Sequence, residues 1–172
     1  MAIQNIEIKA RCEQQDNVRQ FLKENKAVYK GTDHQIDTYF HVSQGRLKLR
    51  KGSVENNLIY YKRTDSAGPK NSRVLLYPAE GDSALGQLLA DALGTLAVVD
   101  KKREIYFIDN VKFHIDSVET LGSFIEIEAI DRDGSIGIEK LRQQCDYYLN
   151  KLGISDDQLV PVSYSDMLLD KK

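Results

Sequence analysis

The stretch Asn5-Ile6-Glu7-Ile8-Lys9-Ala10-Arg11-Cys12-Glu13 alternates polar and apolar side chains without a break. Successive side chains of a strand point to opposite faces, so this alternation predicts a strand over 3–13. Asn5, Glu7, Lys9, Arg11 and Glu13 share one face, and Ile6, Ile8, Ala10 and Cys12 the other. The same alternation returns in Gly45–Arg50, Val111–Asp116 and Phe124–Ala129, each with a charged face and an apolar face. Further strands are predicted over His34–Phe40, Leu58–Arg63, Arg73–Tyr77 (where Pro78 ends the run) and Leu96–Ile108. Val28–Asp33 is predicted as a loop or short strand, and Asp109-Asn110 as a two-residue hairpin turn into 111–118.

Elsewhere the period changes to that of a helix. Val18, Phe21 and Leu22 give an amphipathic helix within Glu13–Lys26, with Asp16 or Asn17 as its cap. Leu85, Leu88, Leu89, Ala92 and Leu93 form a stripe over Asp82–Leu93, with Asp82 or Ser83 as cap and Gly94 as stop. Ile138, Leu141, Cys145, Tyr148, Leu149 and Leu152 define the longest helix, over Ile136–Leu152, closed by Gly153. Ser163–Leu169 has the form of a short final helix. About eight strands joined mostly by short turns imply an antiparallel sheet in an α+β fold, with the helices on its apolar face. The 172 residues are expected to form a single domain, 1–172.

Two arrangements satisfy the charged faces. An antiparallel sheet can leave one face in water. Alternatively, the sheet closes into a barrel turned inside out, with the apolar faces outward under the helices and the charged faces lining a wet tunnel. The charge pattern favours the closed form. Arg46, Lys48 and Arg50 are three cations on one side of one strand, and Lys62 or Arg63, Arg73, Lys101 and Arg103 lie on other strands. Like charges opposed across strands repel, so such crowding fits a polyanion held among them. Glu126 and Glu128 share a face, and carboxylates from adjacent strands can share a hard cation such as Mg²⁺ or Mn²⁺. Many cations with a few convergent carboxylates suit a metal–triphosphate site.

Composition narrows the alternatives. The net charge of −2 gives no global attraction for nucleic acid or anionic membranes, and few aromatics interleave the cations as a base-stacking platform would need. No apolar run is long enough to span a bilayer, and no basic segment precedes an apolar core at the N-terminus. Cys12 and Cys145 lack metal-ligand spacing and are expected as small core residues. A cytoplasmic location is the expectation. Adjacent cations cannot both face inward: Lys62 is favoured over Arg63, and Lys101, in phase with Arg103, over Lys102, while Arg46 is undecided. His114 is expected as a hydrogen-bonding lining residue, since no second histidine has matching spacing. Tyr39 and Tyr164 are expected to pack.

These segments together resemble the CYTH superfamily of class IV adenylyl cyclases and thiamine triphosphatase. The opening strand resembles its ExExK signature. The likeness continues through His34–Phe40 with Asp37, Gly45–Arg50, Tyr61-Lys62-Arg63, Arg73, Lys101–Tyr106, Phe113–Glu128 and Ser163–Leu168. The resemblance implies a tunnel barrel of about eight antiparallel strands that binds a triphosphate through basic side chains and one or two divalent ions. It implies Glu7, Glu126 and Glu128 as metal ligands, with Asp116 a further candidate. It also implies Lys9, Lys48, Arg50, Lys62, Arg73, Lys101 and Arg103 as phosphate contacts. Lys9, Asp116 and Arg103 are the candidate catalytic residues. One departure is Asn5, where the signature has its first glutamate; an amide offers a carbonyl oxygen but no charge, which weakens any second metal site.

The expected substrate is ATP or another triphosphate, with Mg²⁺ or Mn²⁺ as cofactor and a homodimer as the expected assembly. The pattern around Asp37-Thr38-Tyr39-Phe40 and His114-Ile115-Asp116 resembles the cyclase branch more than thiamine triphosphatase. That implies conversion of ATP to cyclic AMP and pyrophosphate. Hydrolysis of inorganic, nucleoside or thiamine triphosphate is the alternative, and a non-catalytic polyphosphate or nucleotide sensor a third. The presence of Glu7, Lys9, Glu126 and Glu128 argues against the third.

Overall fold

Alternation carried through eight strands closes them into a barrel. A computed structural model describes residues 2–63, 65–81 and 83–171. The strands are β1 (Ile3–Arg11), β2 (Val28–Phe40), β3 (Arg46–Lys51), β4 (Asn57–Arg63), β5 (Lys70–Pro78), β6 (Thr95–Ile108), β7 (Val111–Val118) and β8 (Gly122–Asp131). They close in the order β1-β5-β4-β3-β2-β6-β7-β8, every neighbouring pair antiparallel. The helices are α1 (Gln15–Glu24), α2 (Leu85–Leu93), α3 (Ile138–Lys151) and α4 (Tyr164–Asp170).

The hydrophobic core lies outside the barrel wall. Ile6 and Ile8 of β1, Phe113 and Ile115 of β7, and Ile125 and Ile127 of β8 point outward. There they pack on Val18 and Leu22 of α1 and on Leu141 and Cys145 of α3. Each large side chain removed from water in this way stabilises the fold by about 1.5–3 kcal/mol. Because these strands bury their apolar faces under helices, their polar faces must meet inside, and eight strands leave an interior that side chains fill or that holds one small ligand. None of the residues of α2 is fully buried, and its Leu88 is 61% exposed. No helix among the described residues is long and apolar enough to cross a membrane.

A second apolar cluster closes one end. Tyr39, Val99 and Phe124 pack there against Val160 and Tyr164 of the tail. Leu159 bridges to Ala10, and the tail's carbonyls at Val160 and Val162 accept from Lys70 and Lys9, each at 3.1 Å. Ser163 caps α4: its hydroxyl accepts from the Asp166 N–H while the Asp166 carboxylate accepts from the Ser163 N–H.

Several boundaries differ from expectation. The segment predicted as loop or short strand, 28–33, is continuous with β2 and paired to β6 through a bulge between Tyr29 and Gly31. Gly31 holds φ 127° there, a conformation open to glycine. Helix α1 has Gln14 at its N-cap with no side-chain cap; Asn17 instead donates to the Gln14 side chain and Asp16 pairs with Arg19. Helix α2 begins after Ala84, so Ser83 is not its cap, and Asp82 lies outside the described residues.

Candidate active site

The barrel interior collects the charged faces into one cavity. β1 contributes Asn5, Glu7 and Lys9, and β8 contributes Glu126 and Glu128. β3 contributes Lys48 and Arg50, β6 Lys101 and Arg103, and β7 Lys112 and His114. Cross-strand register explains the juxtaposition: Glu7 lies opposite Glu128, and Lys9 opposite Glu126.

Two predicted phosphate contacts face outward. Lys62 is exposed and its ammonium donates to the Gln44 amide oxygen at 2.8 Å. Its neighbour Arg63 takes the inward place and pairs with Glu7. Arg73 is likewise exposed, while Lys70 and Ser72 are turned in on the same strand. A strand's alternation fixes which residues share a face, but not which face is inside. Arg46, left undecided by the sequence, pairs with Asp166 at 3.1 Å and stays outside the cavity lining.

Most of the inward cations are held by carboxylates. Asp37 accepts from Arg50 Nε and Nη2, both at 2.9 Å, and from Lys101 Nζ at 2.7 Å, and lies 3.0 Å from Lys48 Nζ. Burial works against its charged form, yet Arg50, Lys101 and Lys48 hold the carboxyl well below the usual range. The same crowding acts on Lys101: burial first, then Arg50 and Arg103, push its amine well below the usual lysine range despite Asp37. Glu55, from the β3–β4 turn, reaches inward to Lys112 at 2.6 Å and Arg50 at 3.2 Å. Asp116 is fully buried against Arg103 Nε and Nη2, both at 2.7 Å, and accepts from the Tyr164 hydroxyl at 2.7 Å. Both of its oxygens are engaged, so it orients Arg103.

Glu126 is the second hub. It accepts from Arg103 at 3.1 Å and His114 Nδ1 at 3.0 Å, and lies 3.7 Å from Lys9 Nζ. Burial opposes its ionisation, but Arg103, His114 and Lys9 hold it well below the usual range. Burial, reinforced by Arg103, lowers the His114 imidazole to about 4. At neutral pH His114 therefore donates through Nδ1 and keeps Nε2 as an acceptor, buried and without a partner among the described residues. Lys9, 4.0 Å from the Tyr164 ring centroid, is lowered by burial to about 8.

The oxygen donors suit a divalent cation. Glu7 and Glu128 are directly opposed across adjacent strands, an arrangement that repels unless a cation intervenes. Burial, and then Glu7 and Glu126, push the Glu128 carboxyl upward. Asn5 donates to Glu128 and leaves its own Oδ1 buried without a partner among the described residues. No group of three or more acidic, histidine or cysteine side chains placed to hold a metal ion occurs among the described residues. This partial set matches Mg²⁺, which takes one or two carboxylates and completes its shell with water and phosphate oxygens.

The sequence offers Arg63 only as the alternative to Lys62, and points to no site role for Asp37, Glu55, Lys70 or Lys112. Of these last four, Lys112 carries a usable signal, being in phase with His114 and Asp116.

A closed antiparallel barrel with an ionic interior and helices outside has the architecture of the triphosphate-tunnel fold. The family model described as "CYTH domain" matches residues 4–164, and the chain belongs to the CYTH domain family. No curated protein sequence matches it. Among solved structures, PH1012 from Pyrococcus horikoshii OT3 is similar at 23% identity and TM-score 0.78, covering 94% of this chain and 98% of that one. A candidate adenylate cyclase from Vibrio parahaemolyticus is similar at 17% identity and TM-score 0.74, over 96% and 97%. A candidate adenylyl cyclase from Hippeastrum with a dominant triphosphatase activity is similar at 14% identity and TM-score 0.61, over 98% and 96%. At these identities the three show a common fold.

Proposed function

We propose that this protein is a metal-dependent enzyme acting on triphosphates in its tunnel, and that its reaction is conversion of ATP to cyclic AMP and pyrophosphate. The observation that carries the triphosphate reading is the barrel interior itself. Cations on β3, β4, β6 and β7 line the same cavity as the opposed carboxylates Glu7 and Glu128, of which Glu7 already pairs with Arg63. A polyanion with a divalent ion satisfies both sides. Mg²⁺ or Mn²⁺ near Glu7, Glu126 and Glu128 would neutralise phosphate oxygens and the leaving group. Lys48, Arg50, Arg63, Lys101, Arg103 and Lys112 would bind the phosphates, held ready by Asp37, Asp116 and Glu55. Lys9, with its lowered amine, and the open Nε2 of His114 are the groups able to handle a proton.

Cyclisation and hydrolysis differ in the nucleophile. The ribose 3′-hydroxyl attacks the α-phosphorus in one, and water attacks the terminal phosphorus in the other. The cyclase reading draws on the pattern around Asp37–Phe40 and His114–Asp116 and on the Vibrio neighbour. The hydrolase reading has support in the Hippeastrum protein, which pairs this fold with dominant triphosphatase activity. Incubation with ATP or inorganic triphosphate, each with Mg²⁺ or Mn²⁺, followed by separation of products, decides between them. Cyclic AMP with pyrophosphate supports the cyclase, and orthophosphate from inorganic triphosphate with ATP intact supports the hydrolase. Glu126→Ala should cut metal-dependent turnover by about 100-fold or more while the fold persists. Unchanged turnover in that variant refutes the site.

A further inference from the structure

The counter-charges of the tunnel do not all stand in the same place. Asp37 and Asp116 are wholly buried and lie behind their cations, outside the cavity lining. Glu55 lines the cavity itself. Its side chain is 21% exposed, against 7% for Arg50 and 12% for Lys112, the two cations it holds. Arg50 is on β3 and Lys112 on β7, with β2 and β6 between them in the wall. The Glu55 carboxylate therefore bridges strands that are not neighbours and stands in the lumen. Lys112 has no other ion-pair partner among the described residues. Burial opposes the charge of Glu55, yet Lys112 and then Arg50 hold its carboxyl well below the usual range, so it stays an anion at neutral pH.

The turn that carries Glu55 is built to keep it there. Asp33, fully buried on β2, accepts from the backbone N–H groups of Ser53, Val54 and Glu55 at 2.6, 3.0 and 2.9 Å. It also accepts from the Ser53 hydroxyl at 3.0 Å. The Asn56 amide closes the turn on Gly52, donating to its carbonyl and accepting from its N–H. A Cβ on Gly52 would lie 2.6 Å from the Asp33 oxygens, so only glycine fits while Asp33 keeps these bonds. The Gln35 amide spans the two carboxylates, donating to Asp33 at 2.9 Å and to Glu55 at 3.1 Å. The backbone of the turn is pinned, and the Glu55 side chain is the part able to move.

A carboxylate in that place competes with phosphate. An anion bound to both Arg50 and Lys112 must either displace Glu55 or sit against its charge. We propose that Glu55 is a built-in counter-anion that competes with bound polyanions for Arg50 and Lys112, and that Asp33 is the residue that positions it. The proposal rests on the triphosphate reading of the tunnel. Glu55 leaves its two cations as a polyanion enters and takes them again as it departs. The tunnel thus binds triphosphate more weakly, and exchanges it faster, than its cations alone would.

The test is calorimetric binding of inorganic triphosphate to the full chain in Mg²⁺. Glu55→Gln keeps the shape and removes the charge. It should tighten binding by about 10-fold, with the change appearing in the dissociation rate. In a Lys112→Met background the same change should tighten binding by about threefold or less, because Arg50 alone is left to release. Asp33→Asn should tighten binding by about threefold in the wild type and add nothing in the Glu55→Gln background, a dependence that general loosening of the fold would not produce. Should Glu55→Gln not fold, Glu55→Asp draws the charge back by one methylene and should also tighten binding. Weaker or unchanged affinity in Glu55→Gln, or in Glu55→Asp where that variant replaces it, means that Glu55 does not compete and overturns the proposal while leaving the tunnel reading in place. Equal weakening by Asp33→Asn in both backgrounds overturns the role given to Asp33. If triphosphate binds neither the wild type nor Glu55→Gln, or if Lys48→Glu leaves its binding unchanged, the tunnel reading fails and the proposal with it.

Discussion

Asp37→Asn tests the idea that the tunnel's cations are held apart by an internal counter-charge. The Asp37 carboxylate is fully buried and receives Arg50 through two 2.9 Å hydrogen bonds, Lys101 at 2.7 Å and Lys48 at 3.0 Å. Asparagine keeps the shape and removes the charge, leaving three cations facing one another. Breaking a buried ion pair from one side costs about 3–5 kcal/mol. Lys101 offers partial relief, because its amine is already well below the usual range and can shed its proton, so the lower end applies. A loss of about 3 kcal/mol corresponds to a fall in melting temperature of roughly 6–12 °C at this chain length. The assay is thermal unfolding with and without inorganic triphosphate. The ligand should stabilise the variant more than the wild type, because it supplies the missing negative charge. The pH dependence has a definite sign. Asp37 is held well below its unfolded value, so its stabilisation is present above pH about 4 and is lost as pH falls further towards the folded value. The difference between wild type and variant should therefore shrink in acid. A variant melting within about 2 °C of the wild type at neutral pH, with no larger response to triphosphate, would refute the reasoning.

Arg63→Met should weaken inorganic triphosphate binding by about 10-fold, and Lys62→Met should leave it unchanged, since only Arg63 faces the cavity; calorimetry showing the reverse would invert the register of β4. Lys48→Glu should weaken the same binding by about 100-fold, and ordinary affinity would place β3 towards bulk water. His114→Asn should flatten the stability profile between pH about 6.5 and about 4. Over that window the unfolded histidine binds a proton that the buried imidazole refuses, so wild-type stability falls as pH drops, by up to about 1.4 kcal/mol per pH unit. Urea midpoints at pH 5 and 7 that change equally in both proteins would show that His114 is not the group responsible.

How far the site could be read from the sequence depended on local pattern. In β1 the alternation from Asn5 to Lys9 left one partition of side chains, and the structure has the same one. Glu126 and Glu128, and Lys101 with Arg103, were legible for the same reason. In β5 the run Arg73-Val74-Leu75-Leu76-Tyr77 is apolar on both faces after its first residue, so the sequence does not fix its phase and Arg73 is exposed rather than inward. The adjacent cations Lys62 and Arg63 fit either face equally. Glu55 sits in a turn, where side-chain direction has no period, and Lys70 follows Gly68-Pro69, which marks a loop rather than the start of a strand.

The sequence by itself determined the strands, the helices that cover them and the existence of charged faces, because period and composition are local properties that the chain carries wherever it folds. Tertiary structure alone decided that the sheet closes through β1 and β5 and that Asp37 and Asp116 lock the cations. Those facts depend on register between strands as far apart as β1 and β8. Register is set by the closed set of hydrogen-bonded pairs and the packing of helices on the outer wall, and no single segment specifies it.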